Sequence, residues 1–198
     1  MSYRLSYDEM KNILETRLKP SRFGHSLGVA DTAAFLARRF AVDEQQARVA
    51  GLLHDCAREF RDEDMQREAD RRHIAYGPVE RAMPLLLHAY LGALRVRELY
   101  GVDDDAIAQA IYRHTVGARQ MTRLDKIIWF ADMIEPSRDY PEVEMLRRLA
   151  REKSLDEMLL VGLTESIKFV AAKGRLLHPM TIEARNELLL EGVSSPVL

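Results

Sequence analysis

Apolar residues recur at three- and four-residue intervals through nearly the whole chain and nowhere alternate with polar ones over a sustained run, which predicts helices and no sheet. Ser6 with Glu9 reads as a capping box that opens a first helix ending before Pro20. The periodicity predicts further helices over residues 22–40 and 43–56, and Asp62 is placed to cap a short polar one. Tyr76-Gly77-Pro78 breaks the chain, and Pro84 suits the first turn of a helix that runs to Tyr100 and stops at Gly101. Another helix is expected over residues 103–114, and Thr122 with Asp125 caps one that runs through Asp132. Residues 135–141, with two prolines, read as a loop. Ser154 with Glu157 opens a helix ending at Gly174, Pro179 begins the last one, and the tail from Gly192 is expected to fray. No repeat, low-complexity tract or linker interrupts the pattern. The expectation is an all-α fold: one domain over residues 1–198, its core spanning 6–190, built as a bundle of about eight to ten helices.

Placed on these helices, a series of histidines and aspartates falls on inward-facing stripes. His25 shares a face with Val29, Ala33 and Leu36, and His54 follows Ala47 and Ala50. Asp55 comes one turn after Gly51, which leaves room for close approach. His88 goes with Leu85 and Gly92, His114 with Ile107, Ala110 and Ile111, and Asp132 with Ile128 and Trp129. One inward histidine is ordinarily a hydrogen-bonded core residue. Six inward polar groups, two of them carboxylates, are harder to account for in that way, since each unpaired buried charge costs several kcal/mol. A metal site neutralises the carboxylates and uses the imidazoles together, so the set points to a metal-dependent hydrolase.

Composition narrows the class. The chain has 198 residues and 47% hydrophobic residues, enough for a sizeable core. Its 29 basic and 31 acidic side chains nearly cancel, so no nucleic-acid partner is expected, and a phosphate-bearing substrate needs a local basic pocket. The single cysteine, Cys56, excludes an internal disulfide and fits a reducing compartment. No apolar run approaches the roughly 20 residues that span a bilayer, and the first residues lack the apolar stretch of a signal peptide. A cytoplasmic protein with no membrane partner is expected. No glycine-rich phosphate loop is present.

The order His, His-Asp, Asp in His25, His54-Asp55 and Asp132 resembles the HD-domain superfamily of metal-dependent phosphohydrolases. His88 and His114 resemble its two-metal subset. The stretches around Arg22–Ala30, Leu52–Asp55, His114–Gly117, Ala131–Pro136 and His178–Asn186 are similar to the YqeK-type bacterial hydrolases, which cleave diadenosine tetraphosphate symmetrically into two ADP. The likeness departs at Val116, where the family has Thr, and at Cys56, where it has Tyr or Ile. It implies one ion on His25, His54, Asp55 and Asp132, a second on Asp55, His88 and His114, and iron ahead of manganese or zinc.

Two such cations activate water and draw charge from phosphoryl oxygens, so no Ser or Cys nucleophile is required. Asp55, Arg58 and Lys126 are the candidate catalytic residues. Arg58, Thr115, Gly117, Lys126 and Arg138 are the candidate substrate contacts, with Arg113 and Arg119 as further basic residues near the series. Met83, Tyr90, Met121, Phe130, Met133 and Met180 read as core rather than as an adenine pocket. Another HD-domain nucleotide phosphohydrolase or phosphodiesterase, and a non-catalytic HD-fold signalling module, are the competing readings. A homodimer is the expected assembly.

Overall fold

A computed structural model describes residues 3–194. Among them the regular structure is entirely helical: eleven α-helices and one 3-10 turn. Several starts follow the sequence signals. α1 (Tyr7–Arg17) opens with the Ser6/Glu9 capping box, α3 (Glu44–Leu53) follows α2 (Pro20–Arg39), and Asp43 caps α3 by accepting from the Gln46 N–H at 2.7 Å. α4 (Asp62–Arg71) begins at Asp62 itself, with Arg61 in the capping position, so Asp62 acts as a first-turn acid and not as the cap.

α5 (Pro78–Ala82) and the 3-10 turn Pro84–Leu86 lead into α6 (Leu87–Glu98), and α7 (Asp105–Arg113) is capped by Asp104. α8 (Arg123–Ile134) carries the Thr122/Asp125 capping box. α9 (Val143–Glu152), α10 (Leu155–Ala172) and α11 (Pro179–Leu190) complete the order. Of the tail from Gly192, Ser195–Leu198 lie outside the described residues.

Eleven helices exceed the expected eight to ten because α5 and α9 go unforeseen: α5 opens on Pro78, with Glu80 accepting from the Gly77 N–H at 3.0 Å, where Tyr76-Gly77-Pro78 reads as a break, and α9 carries no cap signal. The capping position of α9, Glu142, makes no side-chain cap bond, and the two prolines before it dominate the local reading. Its apolar stripe of Val143, Leu146, Leu149 and Ala150 is buried nonetheless. α3 also ends earlier than expected. Residues 54–60 form tight turns, with Cys56 N–H bonding Leu53 O at 3.0 Å and Arg58 N–H bonding Asp55 O at 2.8 Å. The His-Asp pair therefore sits just past the helix, not on it.

The core lies where α2 packs on α3 and α8, α7 packs on α6 and α8, and α10 packs on α8 and α11. A smaller apolar cluster, including Met65, Leu87, Tyr90 and Leu91, sits beneath α4 and α6. No helix among the described residues is long and apolar enough to cross a membrane.

The α2–α3 crossing fixes the distance between His25 and His54. At Gly51 an added Cβ would lie 2.9 Å from Ala30 Cα and 3.0 Å from Val29 O, both backbone atoms that cannot swing aside. Gly51→Ala gains roughly 1 kcal/mol of helix propensity but forces the helices apart, at a cost of about 1–3 kcal/mol. Urea denaturation is expected to show a net loss of stability, and an unchanged or raised midpoint would refute the close-approach role.

Candidate metal centre

Six side chains from five elements meet in the interior. His25 comes from the middle of α2, His54 is the C-cap of α3 with Asp55 next to it, His88 comes from the first turn of α6, His114 is the C-cap of α7, and Asp132 comes from α8. His25, His54, Asp55, His88 and His114 are buried and Asp132 is partly so.

The ring nitrogens face one another in two pairs. His25 Nε2 and His54 Nε2 lie 3.2 Å apart, and His88 Nε2 and His114 Nε2 lie 3.1 Å apart. Asp132 Oδ1 is 3.0 Å from His25 Nε2 and 3.9 Å from His54 Nε2. Asp55 stands between the pairs. Its Oδ2 is 3.8 Å from His25 Nε2 and 3.5 Å from His54 Nε2, and its Oδ1 is 3.2 Å from His88 Nε2 and 3.8 Å from His114 Nε2.

The far side of each ring decides what these pairs can hold. His54 Nδ1 donates to Gly51 O at 2.7 Å, His88 Nδ1 to Leu85 O at 2.5 Å and His114 Nδ1 to Ile111 O at 2.6 Å. A carbonyl oxygen only accepts, so Nδ1 carries the proton in all three, and in the neutral ring Nε2 presents a lone pair. His25 Nδ1 lies 3.0 Å from Glu135 Oε1, a carboxylate that fixes the same tautomer. Burial, and then His54 and His88, push the His114 imidazole down to about 3, so it is neutral near pH 7. Protons can take a cation's place here: burial opposes charge on both His54 and Asp55, but Asp55 and Asp132 raise the His54 imidazole, and His54 and His88 hold the Asp55 carboxyl well below the usual range. Facing lone pairs flanked by carboxylates repel unless a proton or a metal cation lies between them. The donor set therefore suits divalent metal, with the outer hydrogen bonds that orient metal-binding imidazoles already in place.

Among the other sequence-selected residues, Thr115 and Arg58 are at the cluster. Thr115 Oγ1 is 3.1 Å from His114 Nε2 and 3.3 Å from His88 Nε2. Arg58 is half-buried, its guanidinium has no hydrogen-bond partner among the described residues, and it lines a cavity of about 150 Å3 with Arg22, Asp55, His88, His114 and Asp132. Arg138 donates through Nε to Asp132 O at 2.7 Å and also bonds Asp132 Oδ1, so it fastens that carboxylate.

Lys126 stands six residues before Asp132 on α8, about a third of a turn around the helix and roughly 9 Å along it. Its Nζ is taken by Asp156 Oδ1 at 2.5 Å, away from the cluster. Gly117 has a φ of +74° that serves a turn, its N–H donates to Arg113 O at 2.9 Å, and a Cβ there would face Ala184, Met121 and Leu163. Arg113 pairs with Asp125 at 2.8 Å and Arg119 with Glu187 at 3.4 Å.

Sequence reasoning did not single out Arg22 or Glu135. Arg22 donates to Asp55 Oδ2 at 2.8 Å, and Glu135 braces His25 while accepting from Ser137 N–H at 2.7 Å. Their signal was spacing, since Arg22 precedes His25 by three residues and Glu135 follows Asp132 by three.

Comparisons with known proteins agree with this geometry. Residues 22–137 match the HD domain family. The chain is 37% identical to the symmetrical bis(5'-nucleosyl)-tetraphosphatase of Halalkalibacterium halodurans, over 90% of this chain and 95% of that protein. It is 34% identical to the protein of the same name from Bacillus subtilis, over 93% and 98% of the two chains. The crystal structure of an HD superfamily hydrolase from Clostridium acetobutylicum, described as involved in NAD metabolism, superposes with a TM-score of 0.89 at 40% identity, covering 94% of this chain and 98% of that one. On its matched residues and its buried histidine–aspartate cluster alike, the chain belongs to the HD-domain family of hydrolases.

Proposed function

We propose that this protein is a symmetrical bis(5'-nucleosyl)-tetraphosphatase, a single-domain cytoplasmic enzyme that hydrolyses diadenosine tetraphosphate to two ADP. The division of Asp55, one oxygen toward each imidazole pair, carries the reaction class, because it makes this carboxylate the natural bridge between two cations. The substrate follows from the likeness to proteins named for that activity along nearly their whole length. His25, His54, Asp55 and Asp132 would hold one ion and Asp55, His88 and His114 the other, with iron as the proposed metal among those that suit imidazole and carboxylate donors. Two bound cations supply an activated water and neutralise phosphoryl charge.

The chain's own residues do the rest. Arg58, whose guanidinium has no partner among the described residues, and Arg22 beside it present positive charge to the phosphates flanking the cleaved anhydride. Thr115 Oγ1 offers a hydroxyl donor on the His88–His114 side. Arg138 holds Asp132, and Glu135 holds His25 in the tautomer with a free Nε2. Water adds to one inner phosphorus, the central P–O bond breaks, and each half leaves as ADP.

Product analysis of diadenosine tetraphosphate turnover is expected to give ADP alone. ATP with AMP would move cleavage to an outer anhydride, and phosphate release from mononucleotides without dinucleotide turnover would assign a different HD-domain activity. Glu135→Ala removes the brace on His25, and chelator competition is expected to show metal affinity reduced about 10- to 100-fold. Unaltered affinity would show that the brace is idle. Arg58→Ala removes a charge-assisted contact and is expected to raise KM about tenfold or more, with metal content by elemental analysis unchanged. An unaltered KM would take Arg58 out of substrate binding.

A further inference from the structure

Beside the cluster, between α8, α10 and the loop before α9, lies a cavity of about 370 Å3. It shares His114, Thr115 and Asp132 with the small cavity over the cluster, so a chain of phosphates lying there leads into it. Its volume falls in the range of small-molecule sites, roughly 300–1,000 Å3. The remaining walls include Trp129, Met133, Tyr140, Glu165 and Phe169.

Three of these residues are otherwise unaccounted for. Phe169 is 59% exposed, an aromatic ring on a helix met among the described residues only by the Lys173 ammonium, 5.8 Å from its centroid. Trp129 is 2% exposed, yet its Nε1–H has no acceptor among the described residues, and a buried donor without an acceptor is costly. Glu165 is engaged only through Oε1, by Lys168 Nζ at 2.8 Å. A flat ring that carries both an acceptor nitrogen and an amino group answers all three.

The cavity that borders His25 does not, being lined chiefly by polar and charged groups such as Ser21, Arg22, Ser137 and Asp139, which suits phosphate or solvent better than a base. A third, near Tyr76, Tyr90 and Tyr112, shares no residue with the small cavity over the cluster.

We propose that the α8–α10 cavity is the base subsite, holding the purine of one nucleoside half. Phe169 and Tyr140 supply stacking surface, Trp129 Nε1–H donates to a ring nitrogen, and Glu165 accepts from the exocyclic amine. Met133, expected from sequence to be ordinary core, is part of the wall. The inference rests on the tetraphosphatase reading and adds to it where the nucleoside lies and why an amino-bearing base is preferred.

Trp129 is the chain's only tryptophan, so its emission reports directly on this cavity. ADP, IDP and pyrophosphate are titrated into metal-loaded protein by fluorescence and calorimetry. ADP is expected to perturb Trp129 emission. Phe169→Ala, at an exposed position that does not threaten folding, is expected to weaken ADP about tenfold, the scale of one lost base–aromatic stack, while pyrophosphate affinity stays unchanged. Glu165→Ala is expected to narrow the preference for ADP over IDP. ADP that binds wild type without touching Trp129 emission, and binds Phe169→Ala equally well, would overturn the subsite. The tetraphosphatase reading would then still stand if ADP remained the sole product. Wild type that neither binds ADP nor splits the dinucleotide would overturn both.

Discussion

The bond from imidazole Nδ1 to a main-chain carbonyl three residues earlier is the interaction on which the rest of this centre depends. It recurs at His54 with Gly51, His88 with Leu85 and His114 with Ile111. Helix termini leave carbonyls without an intrahelical partner, and His54 and His114 stand at the ends of α3 and α7, where such carbonyls are available. One bond therefore satisfies the helix end, fixes the tautomer and aims Nε2 inward. At these two positions the helix stops at the ligand, which leaves Asp55 in a turn where it faces both imidazole pairs, while His88 takes the carbonyl of Leu85 in the 3-10 turn just before α6.

His25 cannot use that device, because it sits in the middle of α2, where the carbonyls below it are already bonded within the helix. Its support has to come from another element, and Glu135 provides it from the loop after α8. That loop is in turn fastened by Arg147 of α9, which donates to Ile134 O at 2.9 Å, Glu135 O at 2.7 Å and Arg138 O at 3.0 Å. The same loop presents Arg138 to Asp132. α9, which opens without a side-chain cap, is thus the helix that steadies the outer partners of His25 and Asp132.

These dependencies separate what the sequence disclosed from what it withheld. Capping boxes at Ser6, Thr122 and Ser154 are local chemistry, and the helices they open lie where expected. The six inward residues were legible because helical stripes carry them into the interior, where so many polar groups are costly to bury without a cation to share. Glu135 and Arg22 were not, because a loop acid and a helix-start arginine look like solvated surface until the fold brings them within 3.0 Å of His25 and 2.8 Å of Asp55. Lys126 shows the opposite case: nearness in sequence to Asp132 suggests a shared site, while helical rotation brings its ammonium to Asp156. Phe169 and Glu165 lie more than thirty residues from any member of the series, and only the packing of α10 on α8 brings them beside it.

The two halves of the centre are unequal in donors. One half combines two imidazoles with Asp132 and an oxygen of Asp55, and is braced by the charged groups of Glu135 and Arg138. The other has two imidazoles and one Asp55 oxygen, held from behind by neutral carbonyls. A cation on the poorer side has more of its coordination left for water or phosphate oxygens. That side is also the one with the Thr115 hydroxyl at 3.1 Å from His114, facing the cavity that runs toward Phe169. The fewer donors and the hydroxyl therefore coincide on one flank, and the cavity opens onto the cluster through His114 and Thr115 on that side and Asp132 on the other. Under the proposed function the richer half would be the firmly held anchor, and the poorer half the place where substrate would complete the site.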